Sequence, residues 1–144
     1  MNDIKDILSK YKKIAMIGVS NDLTKPSTIV MKYMQKYGYK IYPVNPKAKG
    51  QKILGEKVYE KITDIKDTID IVDVFRPSKE VPAIAKDTIK IGAKVLWLQL
   101  GIKSEEAKKL MENNNIRYIE NKCTKMEYQS YFLKVRQAFP ALQE

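Results

Sequence analysis

The sequence predicts an α/β fold, a three-layer Rossmann-like sandwich around a five-stranded parallel sheet. Two observations carry that prediction. Short apolar runs such as KIAMIGV (13–19) and IDIVDVF (69–75) show little of the in-out alternation of a half-solvated strand, so they read as strands buried on both faces. These runs are separated by helix-length segments, each long enough to return the chain by a right-handed crossover. At 144 residues the chain is expected to form one domain over 1–144, with the strands in the order 3-2-1-4-5.

The elements follow in order. Asp3 to Tyr11 places Ile4, Ile7, Leu8 and Tyr11 at helical spacing, and Lys13 to Val19 is the first strand, ending near Gly18. From Pro26 to Tyr37 the apolar residues Ile29, Val30, Tyr33, Met34 and Tyr37 recur every three or four positions. Pro26 suits a first helical turn and Gly38 a helix stop. Tyr39 to Val44 reads as the second strand, and Asn45 to Gly55, rich in Lys and turn formers, as a loop with a short extended piece at Ile53 and Leu54. Ile69 to Phe75 is the third strand. Ser78 is expected to cap a helix running from about Lys79 to Ile91, closed by Gly92. Lys94 to Leu100 is the fourth strand, Ser104 and Glu105 open a helix to Asn113, and Ile116 to Ile119 is a short fifth strand. Thr124 to Phe139 is the last helix, with Met126, Tyr131, Val135 and Phe139 facing inward.

Composition removes several kinds of chemistry. The chain has no His, which excludes a Ser-His-Asp triad, an imidazole base, a phosphohistidine intermediate and His-ligated metal sites. Its formal charge of +10 is uneven: 13 lysines face 5 acids before Ile62, whereas 14 cations face 12 acids from Ile62 onward. An anionic ligand is therefore expected to meet the first half of the chain, although many of these lysines are ordinary solvated surface. Cys123 is the sole cysteine and cannot form an internal disulfide, and no apolar run approaches the ~20 residues of a membrane span. Met1 to Lys13 contains no apolar signal-peptide core, so a cytoplasmic setting without membrane contact is expected.

In a doubly wound sheet, ligands collect beyond the carboxyl ends of the strands. The first such turn, Gly18-Val19-Ser20-Asn21-Asp22-Leu23-Thr24-Lys25-Pro26-Ser27, leaves a buried strand and enters a helix whose N–H groups and dipole attract phosphate. It is not a G-x-G-x-x-G turn. Gly18 permits close approach, Ser20 and Ser27 offer hydroxyls, and Lys25 adds charge. After the second strand, an NAD-binding protein presents Asp or Glu to the ribose diol. Here Asn45-Pro46-Lys47-Ala48-Lys49 replaces the acid, which favours a phosphorylated ribose, as in coenzyme A or NADP, over NAD. After the third strand, Phe75-Arg76-Pro77 supplies a ring and a guanidinium able to flank an adenine or clamp a phosphate. Cys123, where the fifth strand gives way to the last helix, reads either as a thiol within reach of a ligand thiol or as a small hydrophobe. Gln99 beside Trp97 is a candidate site amide. No nucleophile and base pair is visible, and Asp73 has no identifiable acid/base partner.

Taken together, IAMIGVSNDLTKPSTIVMKYMQKYGYKIYPVNPK, IDIVDVFRPSKEVPAI, VLWLQLGI and YIENKCTKMEY resemble the stand-alone CoA-binding protein family, itself similar to the CoA-binding domain of the succinyl-CoA synthetase alpha subunit. The resemblance spans Lys12 to Phe132. It implies that Gly18, Val19, Ser20 and Asn21 cradle a diphosphate, with Lys25, Pro26 and Ser27 completing the turn. It also implies that Lys47, in the stretch containing Asn45 and Pro46, reaches the nucleotide end, and that Phe75, Arg76 and Pro77 lie along the ligand. Lys25 departs from the Arg often found there, and lysine supplies charge without a bidentate fork. The synthetase works through a phosphohistidine and a second domain, and this chain has neither, so the resemblance implies a binder of CoA or acyl-CoA and not an acyl-CoA synthetase. The competing reading is an NADP-linked oxidoreductase. Nucleic-acid binding rests on charge alone, and association into a homodimer stays open.

Overall fold

The computed structural model describes residues 3–134. Five helices and seven strands follow one another as α1 (Asp3–Lys10), β1 (Lys13–Ile17), α2 (Pro26–Lys36), β2 (Lys40–Val44), β3 (Lys52–Ile53), β4 (Glu56–Lys57), β5 (Ile71–Val74), α3 (Val81–Lys90), β6 (Val95–Leu98), α4 (Glu105–Asn113), β7 (Arg117–Ile119) and α5 (Thr124–Phe132). The expected α/β sandwich is present: β1, β2, β5, β6 and β7 form one parallel sheet, and the short extended piece expected at Ile53 and Leu54 is met by β3, which pairs with β4 in a small antiparallel hairpin. Val135 and Phe139 of the expected last helix lie outside the described residues.

The sheet has two dry faces, as its continuous apolar strands require. On one face, Ile14, Met16, Ile41, Ile71, Val95 and Trp97 pack with Ile7 and Leu8 of α1 and Met31 and Met34 of α2. On the other, Ala15, Val72, Val74, Leu96 and Leu98 pack with Val81 and Ala85 of α3 and Ala107 and Met111 of α4.

The strand order differs from the expected 3-2-1-4-5. Numbering only the five sheet strands, it is 2-1-3-4-5, because β5 pairs with β1 on the side away from β2. The reason is Pro43. Its carbonyl accepts from Tyr59 N–H at 2.9 Å on the outer edge of β2, and a strand residue's N–H points to the same side as its C=O. Proline has no N–H to give a neighbouring strand there, so β2 is suited to an edge. The chain after β4 covers that edge with a single parallel bridge, Val44 to Tyr59, before returning to place β5 in the centre. The switch in strand direction of travel therefore falls at β1, whose carboxyl end opens between the turns following β2 and β5.

Ser78 is not the expected helix cap. Ser78–Glu80 forms a separate 3₁₀ turn, α3 begins at Val81 with Pro82 in its first turn, and Ser78 Oγ accepts from Lys103 N–H at 3.1 Å. Ser104 does cap: its hydroxyl accepts from Ala107 N–H at 3.1 Å.

Candidate functional site

Gly18 ends β1 with φ +93°, in the region that favours glycine. A Cβ there would lie 2.8 Å from Phe75 O and 3.0 Å from Arg76 Cδ. The missing side chain is thus what lets the turn after β5 close over the turn after β1. Gly18 N–H donates to Val44 O at 2.8 Å and Phe75 N–H to Ile17 O at 2.9 Å, so the three strand ends are tied together at this point.

The β1–α2 turn is internally braced. Ser20 N–H donates to Ser27 Oγ at 3.2 Å, Thr28 Oγ1 to Ser20 O at 2.6 Å, and Asp22 N–H to Ser20 Oγ at 3.0 Å. No side chain caps α2 at Lys25. Asn45 locks the neighbouring turn to this one, donating through Nδ2 to Val19 O at 2.9 Å and accepting from Lys47 N–H at 3.0 Å.

Two clefts meet here. The larger, about 700 Å³, is lined by seven of the expected residues: Gly18, Ser20, Lys25, Asn45, Pro46, Lys47 and Arg76. It also takes in Lys61, a cation from a stretch to which the sequence pattern assigned no role. Glu60, Glu80 and Asp87 face it too, so the cleft is mixed in charge. Lys49 is drawn aside by Glu60 at 3.2 Å. The second cleft, about 470 Å³, is mostly apolar and is lined by Pro26, Val30, Phe75, Arg76, Pro77, Gln99, Leu100, Ile102 and Cys123. Arg76 borders both. Its guanidinium is held by Glu80 through Nε at 3.0 Å and Nη2 at 2.7 Å, and this pair pulls the Glu80 carboxyl below its ordinary range.

Three expected residues line neither cleft. Val19 and Ser27 are buried, so their side chains serve the turn and only their backbone could meet a ligand; Asn21 instead donates to Gln51 Oε1 at 3.3 Å. Besides Lys61, pattern reading missed Val30, Leu100 and Ile102 of the apolar cleft. Leu100, read as the last residue of the fourth strand, lies beyond the end of β6 and is 58% exposed.

Beneath the second cleft lies a buried polar group. Asp73, in the middle of β5, accepts from Gln99 Nε2 at 2.6 Å and from Thr124 Oγ1 at 3.4 Å, and Gln99 Nε2 also donates to Thr124 Oγ1 at 3.2 Å. Burial pushes the Asp73 carboxyl up to about 7, against the pull of those hydrogen bonds. Cys123 stands at the N-terminus of α5, yet burial raises its thiol and the Asp73 charge adds to that, so the helix end does not activate it.

Strand-end turns of a parallel sheet that converge on a glycine, a cleft of mixed charge and an uncapped helix N-terminus place this chain among α/β proteins of the doubly wound type, in which such a position is where ligands collect. Residues 12–129 match the family described as CoA binding domain, and the chain belongs to that family. It is 36% identical over 126 residues to the uncharacterized protein YneT of Bacillus subtilis, covering 88% of this chain and 92% of that one. It is also 36% identical over 112 residues to the alpha subunit of ADP-forming acetate–CoA ligase I of Pyrococcus furiosus, covering 73% of this chain but only 24% of the subunit. Among solved structures, a hypothetical protein from Pyrococcus horikoshii superposes with a TM-score of 0.84 at 39% identity, covering 88% of each chain.

Proposed function

We propose that this protein binds coenzyme A or an acyl-CoA, without evident catalysis of its own. The observation that carries this reading is the meeting of two unlike clefts at Arg76, across from Gly18. Coenzyme A is divided in the same way, into an anionic nucleotide and a long, nearly neutral pantetheine arm joined by a diphosphate. The mixed-charge cleft with Lys25, Lys47 and Lys61 suits the nucleotide and its 3′-phosphate, and the apolar cleft suits the arm. The diphosphate then lies over Gly18, facing the turn from Val19 to Asn21, with Lys25, the start of α2 at Pro26 and Ser27, and the Arg76 guanidinium around it. Family membership and the likeness to part of an acetate–CoA ligase subunit support the choice of ligand.

Isothermal titration with CoA, dephospho-CoA and NADPH tests it. CoA is expected to bind most tightly, and dephospho-CoA to lose about 5- to 10-fold, the worth of one charge-assisted contact of roughly 1–1.4 kcal/mol. Lys47→Ala should bring the two affinities together. NADPH binding as tightly as CoA would overturn the reading in favour of a reductase.

A further inference from the structure

Asp73 and Gln99 form a buried pair whose outer member borders the apolar cleft. Both hydrogens of the Gln99 amide are engaged, one by Asp73 Oδ1 and one by Thr124 Oγ1, which leaves Oε1 as the amide's remaining polar atom. The side chain shows the cleft an acceptor in this arrangement. A protonated Asp73 adds a donor, and its O–H has two acceptors in the group: Thr124 Oγ1 at 3.4 Å with the amide unchanged, or Gln99 Oε1 at the 2.6 Å contact once the amide has turned, and the shorter contact is the one that suits an O–H···O bond. Rotation of the amide about its terminal torsion, which is broad and roughly two-fold, gives Oε1 to Asp73 and turns the NH₂ outward. The Thr124 hydroxyl donates or accepts as needed.

We propose that Gln99 is the specificity-determining residue for the sulfur end of the ligand, and that proton binding at Asp73 selects which group of the amide it presents. With Asp73 ionised, Oε1 faces the cleft and favours a ligand that donates a hydrogen bond, such as a free thiol. With Asp73 protonated, NH₂ faces the cleft and favours an acceptor, the carbonyl of a thioester. The inference rests on the placement of the pantetheine arm in that cleft.

The surroundings of Asp73 suit such a device. Its neighbours across the sheet are Met16 on β1 and Trp97 on β6, both uncharged, and from α5 it meets Thr124 and Cys123. The Cys123 thiol is the titratable group coupled to it, and it is held above its usual value; Lys125 acts on that thiol in the opposite sense. The carboxyl itself, raised to about 7, changes charge within the physiological range.

The test is the ratio of Kd for CoA to Kd for acetyl-CoA, measured by calorimetry at about pH 5.5 and about pH 8. Ionisation of the ligand phosphates is common to both ligands and cancels in the ratio. A net hydrogen bond of about 1 kcal/mol predicts a ratio near 5 times larger at the lower pH. In Asp73→Asn, which keeps the shape of the side chain and cannot ionise, the ratio should be the same at both pH values while CoA still binds. In Gln99→Met the pH dependence should vanish too. A wild-type ratio that does not change with pH, or one that still changes in either folded variant, overturns this inference while leaving CoA binding intact. Absence of binding by either ligand overturns the placement of the arm and the binding function with it.

Discussion

Asp73 has no solvent contact, and among the described residues its burial is compensated by hydrogen bonds from neutral groups. Its effect on stability has a definite sign. The carboxyl titrates near 3.8 when unfolded and near 7 when folded, so between those values the native state binds more protons than the unfolded chain. Stability then falls as pH rises from about 4 to about 7 and levels off above, where both states are ionised. Asp73→Asn should remove this loss. In urea denaturation, its unfolding free energy relative to wild type is expected to improve steadily over that interval and to plateau beyond it; a difference constant with pH would contradict the raised carboxyl. Asp73 was legible as a residue, an acid inside an apolar run, but its partners were not. Gln99 and Thr124 lie 26 and 51 positions away, and only the sheet register and the start of α5 bring them together.

Ser78 and Ser104 show how one local signal leads to two outcomes at the level of helices. Each precedes an amphipathic segment, and each reads as a cap. Ser104 is followed directly by Glu105 and Glu106, which favour a helix starting there through the dipole. Ser78 is followed by Lys79, Glu80, Val81 and Pro82, and proline, fitting only the first turn, moves the start of α3 to Val81. Ser104→Ala should therefore cost about 1 kcal/mol in urea denaturation. Pro43 is a comparable signal in a strand: with no N–H to donate, it suits β2 to the edge of the sheet where the structure places it. The β3–β4 hairpin carried less information, since each strand has two residues and its pairing depends on the Lys52–Lys57 and Ile53–Glu56 register.

Across the whole molecule, the sheet separates two cores, and Trp97 is the largest fully buried side chain. Its ring fills the face beneath α1, α2 and α5, and its indole N–H donates to Lys122 O at 2.8 Å, holding the segment that leads into α5. Trp97→Ala should cost about 3–5 kcal/mol, a large share of the roughly 5–15 kcal/mol that a domain has in total. Circular dichroism against urea would show this as an early transition; an unchanged midpoint would mean that the face collapses to refill the space.

The arrangement of strands and helices, the glycine turn and the lysine loop were readable from residue order because they depend on local properties: apolar periodicity, backbone freedom at Gly18, the capping chemistry of Ser104 and the lack of an acid after β2. The site as a cleft was not local. Which turns face one another depends on strand order, and strand order depends on which edges can pair, a competition among segments far apart in the chain. The tertiary fold thereby set Arg76 across Gly18 and brought Lys61 to the mixed-charge cleft. It also turned Val19 and Ser27 inward and placed Leu100 and Ile102 beside Phe75 in the apolar one.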